Sequence, residues 1–293
     1  MTDEDMFNAM ASVAETIETT ETAATSETTV NEVNADNYSL PLTKDNFIKF
    51  SNVLGIIQDI CNDCDIKEGK IRCRTNDHKN MILMDLSALV GARNIAFSGL
   101  KNKLTLLSTF SLVAEGTTNT DVLIEANDSN FEFSDSLSKL IVRRPIASYL
   151  ENIYLTDEEF STINESINRE DAVLFNVTIN SMEKKRIAKL CDAFCSNTVT
   201  FEFCGNTAYY TTQTSSKDNV SKTAQSINLL KTLENKKTLI NNLSFVLDTP
   251  SNLEITCYQI GTEYCMFKCN LNYYGIPVTI YTKSKIVDTN DDM

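Results

Sequence analysis

Asn180-Ser-Met-Glu-Lys-Lys-Arg-Ile-Ala-Lys-Leu-Cys-Asp-Ala-Phe194 reads as a helix with a marked start. Asn180 can cap the first turn, and Glu183 sits three residues on, where a capping-box carboxylate reaches back. Ile187, Leu190, Cys191 and Phe194 fall at helical spacing and predict an inward stripe. Lys184, Lys185, Arg186 and Lys189 are expected mostly outside that stripe. Four cations within six residues stand out in a chain of net charge -14. Taken alone, such a run is a solvated helix face. Its meaning depends on whether the surrounding unit occurs again.

It occurs earlier in the chain. Tyr38 to Thr43 predicts a short strand, and Thr43 caps a helix through Lys44, with Phe47, Phe50, Leu54, Ile57 and Cys61 on one face and Lys44 and Lys49 elsewhere. Strands follow at Asp65 to Glu68, Lys70 to Thr75, Met81 to Leu86 and Asn94 to Phe97, with a tight turn at Gly69. A shorter helix is expected from Leu100 to Phe110, with Lys101 and Lys103 facing out. Asp121 to Ala126, Asn130 to Ser134 and Leu137 to Arg143 close the unit. The second pass has a strand at Ala172 to Ile179, the basic helix, and a hairpin of Thr198 to Cys204 and Thr207 to Gln213 turning at Gly205-Asn206. Ala224 to Leu233 and Thr238 to Leu247 follow, the latter with a helix-like turn at Leu239, Leu243 and Phe245. Leu253 to Gln259, Tyr264 to Leu271 and Val278 to Ser284 are the last strands. The same order in units of roughly 110 to 120 residues points to an internal duplication. The fold class is α+β: two domains, residues 37–148 and 171–288, each with two helices packed on antiparallel sheets. Residues 149–170 form a connector, with a one-turn helix expected at Thr156 to Phe160, and residues 289–293 are an acidic end.

Composition narrows the function. Residues 1–36 hold nine acids, no lysine or arginine, and no proline or glycine, a composition expected to stay disordered. Without that tail the net charge falls from -14 to -5 on the other 257 residues, whose cations can be unevenly spread. No apolar run is long enough for a membrane helix, and the start lacks a secretory pattern, so a cytoplasmic protein is expected. Nine cysteines then read as reduced thiols. Cys61 and Cys64 form a C-x-x-C near Cys73, but a zinc site needs a fourth ligand, and the single histidine, His78, sits in an expected turn. No metal is assigned. No G-x-S-x-G, P-loop or H-E-x-x-H occurs, so no catalytic residue and no cofactor is indicated.

At this point the sequence resembles the DNA sliding clamps, most closely the two-domain, phage-type relatives of proliferating cell nuclear antigen. Leu40-Pro-Leu-Thr-Lys-Asp45 before an amphipathic helix is similar to the opening of those proteins. Ala96-Phe-Ser-Gly-Leu-Lys-Asn-Lys-Leu-Thr-Leu-Leu107 is similar to their strand into second helix, and Thr249-Pro-Ser-Asn-Leu-Glu-Ile255 to the approach to their C-terminal hairpin. The resemblance covers about residues 38 to 285 and departs in a poorly marked second helix of the second domain and in the polar loop Ser215 to Ser221. It implies a ring of six domains, hence a homotrimer of this chain, closed head to tail through edge strands near Leu137–Arg143 and Ala224–Leu233. It implies double-stranded DNA in the hole, held without sequence preference by Lys44, Lys49, Lys101, Lys103, Lys184, Lys185, Arg186 and Lys189. It also implies a DNA polymerase and a clamp loader as partners, docking peptides near Tyr149, Leu150, Ile153, Tyr154 and Leu155 of the connector and Tyr273, Tyr274, Ile276 and Tyr281 of the closing strands. The acidic run Asp157 to Glu159 would favour a peptide flanked by lysine or arginine. Those apolar connector residues can equally serve as a tether to the second domain.

The physics is compatible with that implication. Lysines on a helix face attract phosphates in a salt-dependent, sequence-blind way, and no aromatic reader is interleaved with them. Two other readings fit the same pattern: a viral structural or scaffold protein with a duplicated β-rich domain, and a processivity factor that binds DNA without closing a ring.

Overall fold

Thr43 stops a short strand and starts a long helix. Its side chain accepts from the Asn46 amide at 3.3 Å. In the computed structural model, which describes residues 37–61, 63–75, 79–97, 121–136, 139–143, 145, 154–167, 169, 172–196, 198–213, 220–222, 226–241, 249 and 251–290, the first half runs β1 (Tyr38–Leu42), α1 (Lys44–Ile60), β2 (Cys64–Lys67), β3 (Lys70–Arg74), β4 (Asn80–Asp85), α2 (Ser87–Val90), β5 (Ile95–Phe97), β6 (Val122–Ala126), β7 (Asn130–Ser134) and β8 (Lys139–Arg143). After α3 (Asp157–Ile167) come β9 (Val173–Ile179), α4 (Ser181–Ala193), β10 (Thr198–Gln213), β11 (Val220–Lys222), β12 (Ile227–Asn241), β13 (Leu253–Ile260), β14 (Tyr264–Tyr273), β15 (Ile276–Lys285) and β16 (Val287–Asp288). The expected helix at Leu100 to Phe110, the tail 1–36, and Tyr149, Leu150 and Ile153 lie outside the described residues.

Every strand pairs antiparallel with its neighbours. The sheet orders are β1-β6-β7-β8, β11-β10-β12-β16, and an eight-stranded β5-β2-β3-β4-β15-β14-β13-β9. The duplication is visible in these orders. The strand before the first long helix joins the last three strands of its half, β1-β6-β7-β8, and β9 joins β13-β14-β15 in the same way. The strands after that helix make β5-β2-β3-β4 in the first half and β12-β10-β11 in the second.

The expected hairpin is present within β10. Thr211 Oγ1 donates to Thr200 O at 3.4 Å, and the Phe201 and Tyr210 rings are 6.3 Å apart. A straight strand would hold Thr200 and Thr211 about 35 Å apart, so β10 turns back at Gly205-Asn206. Residues Leu233 to Asn241 pair with the first arm, and Ile227 and Asn228 with the second. β12 therefore crosses the hairpin tip, where Thr232 Oγ1 donates to Asn206 Oδ1 at 2.6 Å.

The corresponding turn in the first half needs its glycine. Glu68 and Gly69 both have positive φ, 51° and 76°. A Cβ on Gly69 would stand 2.4 Å from Gly91 O. The Gly69 amide donates to Arg93 O at 2.9 Å, and the Leu86 amide to Gly69 O at 2.7 Å, which locks the turn onto the loop between β4 and β5.

One apolar core runs through both halves. α1 brings Phe47, Phe50, Val53, Leu54 and Ile57 to it and α4 brings Ile187 and Cys191. Each half has its own group of packed phenylalanines: Phe47, Phe97, Phe131 and Phe133 in the first, Phe175, Phe201, Phe203 and Phe267 in the second. Such ring pairs add about 0.5–1.5 kcal/mol each beyond their buried area.

Two expectations change. The connector helix is not one turn but runs Asp157–Ile167. Thr156 and Glu159 form a reciprocal capping box that starts it, the Thr156 amide donating to Glu159 Oε2 at 2.8 Å and the Glu159 amide to Thr156 Oγ1 at 3.2 Å. Leu239 lies on β12, not in a helix-like turn, because residues up to Asn241 stay paired with β10; Leu243 and Phe245 lie outside the described residues. The second helix expected in the second half is not among the described residues, which leave out residues 214–219, 223–225 and 242–248.

Candidate functional site

The basic helix begins as the sequence dictates. Asn180 Oδ1 accepts from the Glu183 amide at 2.9 Å. The Glu183 carboxylate does not reach back to the cap. It accepts from Arg186 Nε at 2.9 Å and Nη2 at 2.5 Å and from the Tyr210 hydroxyl at 2.5 Å. The Arg186 hydrogen bonds hold its carboxyl below the ordinary range.

The expected row of four cations separates into three kinds. Lys184 is fully buried. Its ammonium donates to Thr249 O at 2.7 Å and to Thr249 Oγ1 at 2.5 Å. It cannot face a DNA ligand, and its expected place in that set is corrected. The reason is helical position: Lys184 stands three residues before Ile187 and seven before Cys191, on the inward stripe itself. Arg186 is exposed but bound to Glu183. Lys185 and Lys189 are exposed, and among the described residues neither forms an ion pair. They sit at i and i+4, where like charges repel by about 0.2–0.5 kcal/mol and an anion relieves the repulsion. Lys44 and Lys49 are half-buried on α1. Lys101 and Lys103 lie outside the described residues.

A second feature is the unequal treatment of equivalent sheet edges. β4 of the first half pairs with β15 of the second, Met84 against Val278 and Ile82 against Ile280. This joins the two halves into the eight-stranded sheet. By the duplication, β15 corresponds to β8, and β4 to the edge formed by β11 and the start of β12. Those two counterparts have no strand neighbour on their outer sides among the described residues. Ile141, in the middle of β8, is 58% exposed, and Leu230, beside the other edge, is 67% exposed. The molecule carries one closed junction and the two unmatched edges of another of the same kind.

The third feature lies on the face of the eight-stranded sheet opposite the main core. Met81, Leu155, Tyr258, Met266 and Tyr281 form a separate buried cluster. The connector reaches it by Tyr154, which bridges Cys73, and by the Leu155 amide, which donates to Arg72 O at 2.8 Å. Lys67 Nζ lies 4.5 Å from the Tyr154 ring centre. Arg72 pairs with Asp157 and Arg74 with Glu159, so the start of α3 is tied to β3. Leu155 is completely buried and acts as the tether. Tyr281 also belongs here. Tyr273 and Ile276 do not: both pack on the main core, on the other face of the sheet. Tyr274 stands at the hairpin tip, 55% exposed, with φ 50°. The strand parity behind this division was available in the sequence. Cys265, Phe267, Cys269 and Leu271 occupy one face, so Met266 must face the other; Met81 and Tyr258 were missed for want of the same count.

Burial pushes the Tyr281 hydroxyl up to about 12 from an ordinary 10. The raised value means the folded state resists ionisation. Its contribution to stability, about 2–3 kcal/mol, is present below pH 10 and is lost as pH rises from about 10 to about 12. Alkaline unfolding followed by circular dichroism is expected in that window, and Tyr281→Phe should carry the midpoint upward. An unchanged midpoint in the variant contradicts the burial argument.

Among the described residues no group of three histidine, cysteine or acidic side chains could hold a metal ion. Cys64 and Cys73 are in the main core, and the hydrogen bond that the Cys64 thiol donates to Cys73, together with burial, holds that thiol well above its ordinary value. No described helix is long and apolar enough to cross a membrane.

No protein-family model matches the chain, and no curated protein matches its sequence. Solved structures do match. The proliferating cell nuclear antigen (PCNA) of A. fulgidus, in a complex with the C-terminal region of FEN-1, is 12% identical with a TM-score of 0.56, over 85% of this chain and 99% of that one. The PCNA2–PCNA3 complex of Sulfolobus tokodaii gives 12% identity and a TM-score of 0.51 over 84% and 99%. The PCNA of Entamoeba histolytica gives 11% and 0.53 over 85% and 99%. At these identities the likeness is one of fold, and it spans both halves and the junction between them. The chain has the fold of the PCNA-type sliding clamps.

Proposed function

We propose that the chain is a DNA sliding clamp of the two-domain, phage type. It closes head to tail into a ring of three, encircles duplex DNA without sequence preference, and tethers a replicative polymerase at replication sites in the cytoplasm. It acts as a tether and not as a catalyst. The observation that carries this reading is the β4–β15 junction together with its two unmatched counterparts. A chain that already contains one such junction, and presents complementary halves of another at its two ends, satisfies both edges by joining further copies head to tail. Three two-domain chains would complete six domains, the number the resemblance implies.

In this ring the exposed cations of α4 and the half-buried cations of α1 face the duplex. Lys185 and Lys189 are the strongest candidates, with Lys44 and Lys49 beside them and Lys101 and Lys103 on the second helix expected from sequence. The double reversal Lys185→Glu, Lys189→Glu should leave the fold intact and reduce the slope of log affinity against log salt by about two, one for each phosphate no longer neutralised. An unchanged slope and unchanged polymerase processivity would remove these residues from the DNA face.

Polymerase and clamp loader are proposed to dock peptides where the connector crosses the outer cluster. Tyr154, Leu83 and Ile260, partly exposed around the buried Met81 and Tyr258, offer apolar surface there, and Asp157 to Glu159 offer charge for a basic flank. A peptide from the cognate polymerase's C-terminus should bind about tenfold or more weakly to the double variant Leu83→Ala, Tyr154→Ala. Equal affinity for both proteins would move the partner site elsewhere.

A further inference from the structure

Two features of the chain stand in electrostatic opposition. Lys185 and Lys189 are exposed one helical turn apart, with no ion pair among the described residues, although the protein as a whole carries fourteen surplus negative charges. Residues 1–36 hold nine of those acids and no cation. We propose that this N-terminal segment docks on the cationic helix face of its own assembly, where it occupies the place of a nucleic-acid backbone and is displaced by duplex DNA. The occupant is thus Asp3 to Asp36 of this chain.

Three points support the assignment. The first is charge: nine carboxylates spread over 36 residues without a cation offer the helix lysines the same sequence-blind attraction as a row of phosphates. The second is position. The segment ends at Asp36, two residues before β1 and eight before Lys44, so its root lies one five-residue strand away from the start of α1. The third is reach. A random coil of 36 residues, the length that precedes Asn37, spans roughly 30 Å on average, about the diameter of a small domain. Tethering at that range gives an effective concentration on the order of millimolar, enough for a weak, screened contact to be populated at low salt and to fade as salt rises.

The consequence is selectivity by displacement. Isolated anions and short or single-stranded nucleic acids present few charges and compete poorly with the tethered segment, whereas a duplex lying along several helices at once displaces it. The DNA arm of this inference rests on the sliding-clamp reading; the docking itself does not.

The test uses the full chain and a version lacking residues 1–36, with a third protein in which the nine acids are replaced by asparagine and glutamine. Without DNA, a zero-length carbodiimide cross-link followed by peptide mass spectrometry should join tail carboxylates to Lys185 or Lys189, and the links should disappear above about 0.5 M salt. With DNA, a random-sequence duplex should bind the truncated and the neutralised proteins about tenfold more tightly than the full chain at low salt, the difference closing as salt rises. Cross-links to Lys185 or Lys189 with no DNA binding by any version would retain the docking and reject the clamp reading. DNA binding that is equal in all three proteins, with no such cross-links, would overturn the proposal. Links to cations elsewhere on the chain, with Lys185 and Lys189 unlinked, would overturn it as well.

Discussion

Ile141→Asp is expected to convert the proposed assembly to monomers at micromolar concentration, while the folded chain melts within a few degrees of the parent. Ile141 lies at the centre of β8, a five-residue strand paired, among the described residues, only on its β7 side, opposite Glu132. Its side chain is 58% exposed in the single chain. An exposed site of this kind contributes within about 0.5 kcal/mol to the fold of one chain. In an assembly closed through β8 the same position is covered, and a carboxylate there is stripped of water. That costs about 2–4 kcal/mol per interface, which is about 30- to 1,000-fold in each association constant. The account requires both halves of this result. Light scattering gives the mass, and a thermal melt shows that the monomer is folded. A variant that keeps the parent mass would place β8 outside the interface.

Lys184→Ala is expected to destabilise the fold by about 3 kcal/mol, whereas Lys185→Ala one residue on changes it by less than about 0.5. The buried ammonium satisfies both oxygens of Thr249, in the turn that leads to β13. Its removal takes away two hydrogen bonds to a charged donor and leaves a buried carbonyl and hydroxyl short of a partner. For a chain of this size the loss lowers the melting temperature by about 6–12 °C. Lys184→Met keeps the apolar stem and isolates the contribution of the ammonium. Equal melting temperatures for Lys184→Ala and Lys185→Ala would contradict the burial of Lys184.

These two residues show where sequence reasoning held and where it stopped. The order of elements was legible because turns, caps and apolar spacing are local. Thr43 and Asn180 stand at the helix starts where their side chains predict, and the strands from Tyr38 to Arg143 fall within a residue or two of their expected ends. The β10 hairpin was legible for the same reason, since Gly205-Asn206 is a turn signal in itself. Lys184 was misplaced because residue type was given more weight than position. Counting by threes and sevens from Ile187 and Cys191 puts it inward, and the Thr249 contact, 65 positions away, helps to make that burial tolerable. The α3 helix was underestimated although Thr156-Asp-Glu-Glu159 carries its capping box in plain view. The joining of β4 to β15 was out of reach. It pairs residues roughly two hundred positions apart, and no local signal names the partner of an edge strand.

The division of the aromatic residues follows the same logic. Tyr273, Ile276 and Tyr281 are close in sequence, but a two-residue period sends Tyr281 to the outer cluster and Ile276 to the main core. Partner docking is therefore proposed on Tyr154, Leu83 and Ile260, with the buried Leu155, Met81 and Tyr258 beneath them.

The central claim is that the open edge of β8 meets the edge formed by β11 and the start of β12 in another copy of the chain, and that the ring closes at three. The most direct measurement is the absolute mass of the full-length protein in solution, by light scattering coupled to size-exclusion chromatography at micromolar concentration. The account predicts three times the 32.8 kDa of one chain, with no larger species as concentration rises, because a closed ring leaves no edge free. A mass of one or two chains, or one that grows without limit, would contradict it.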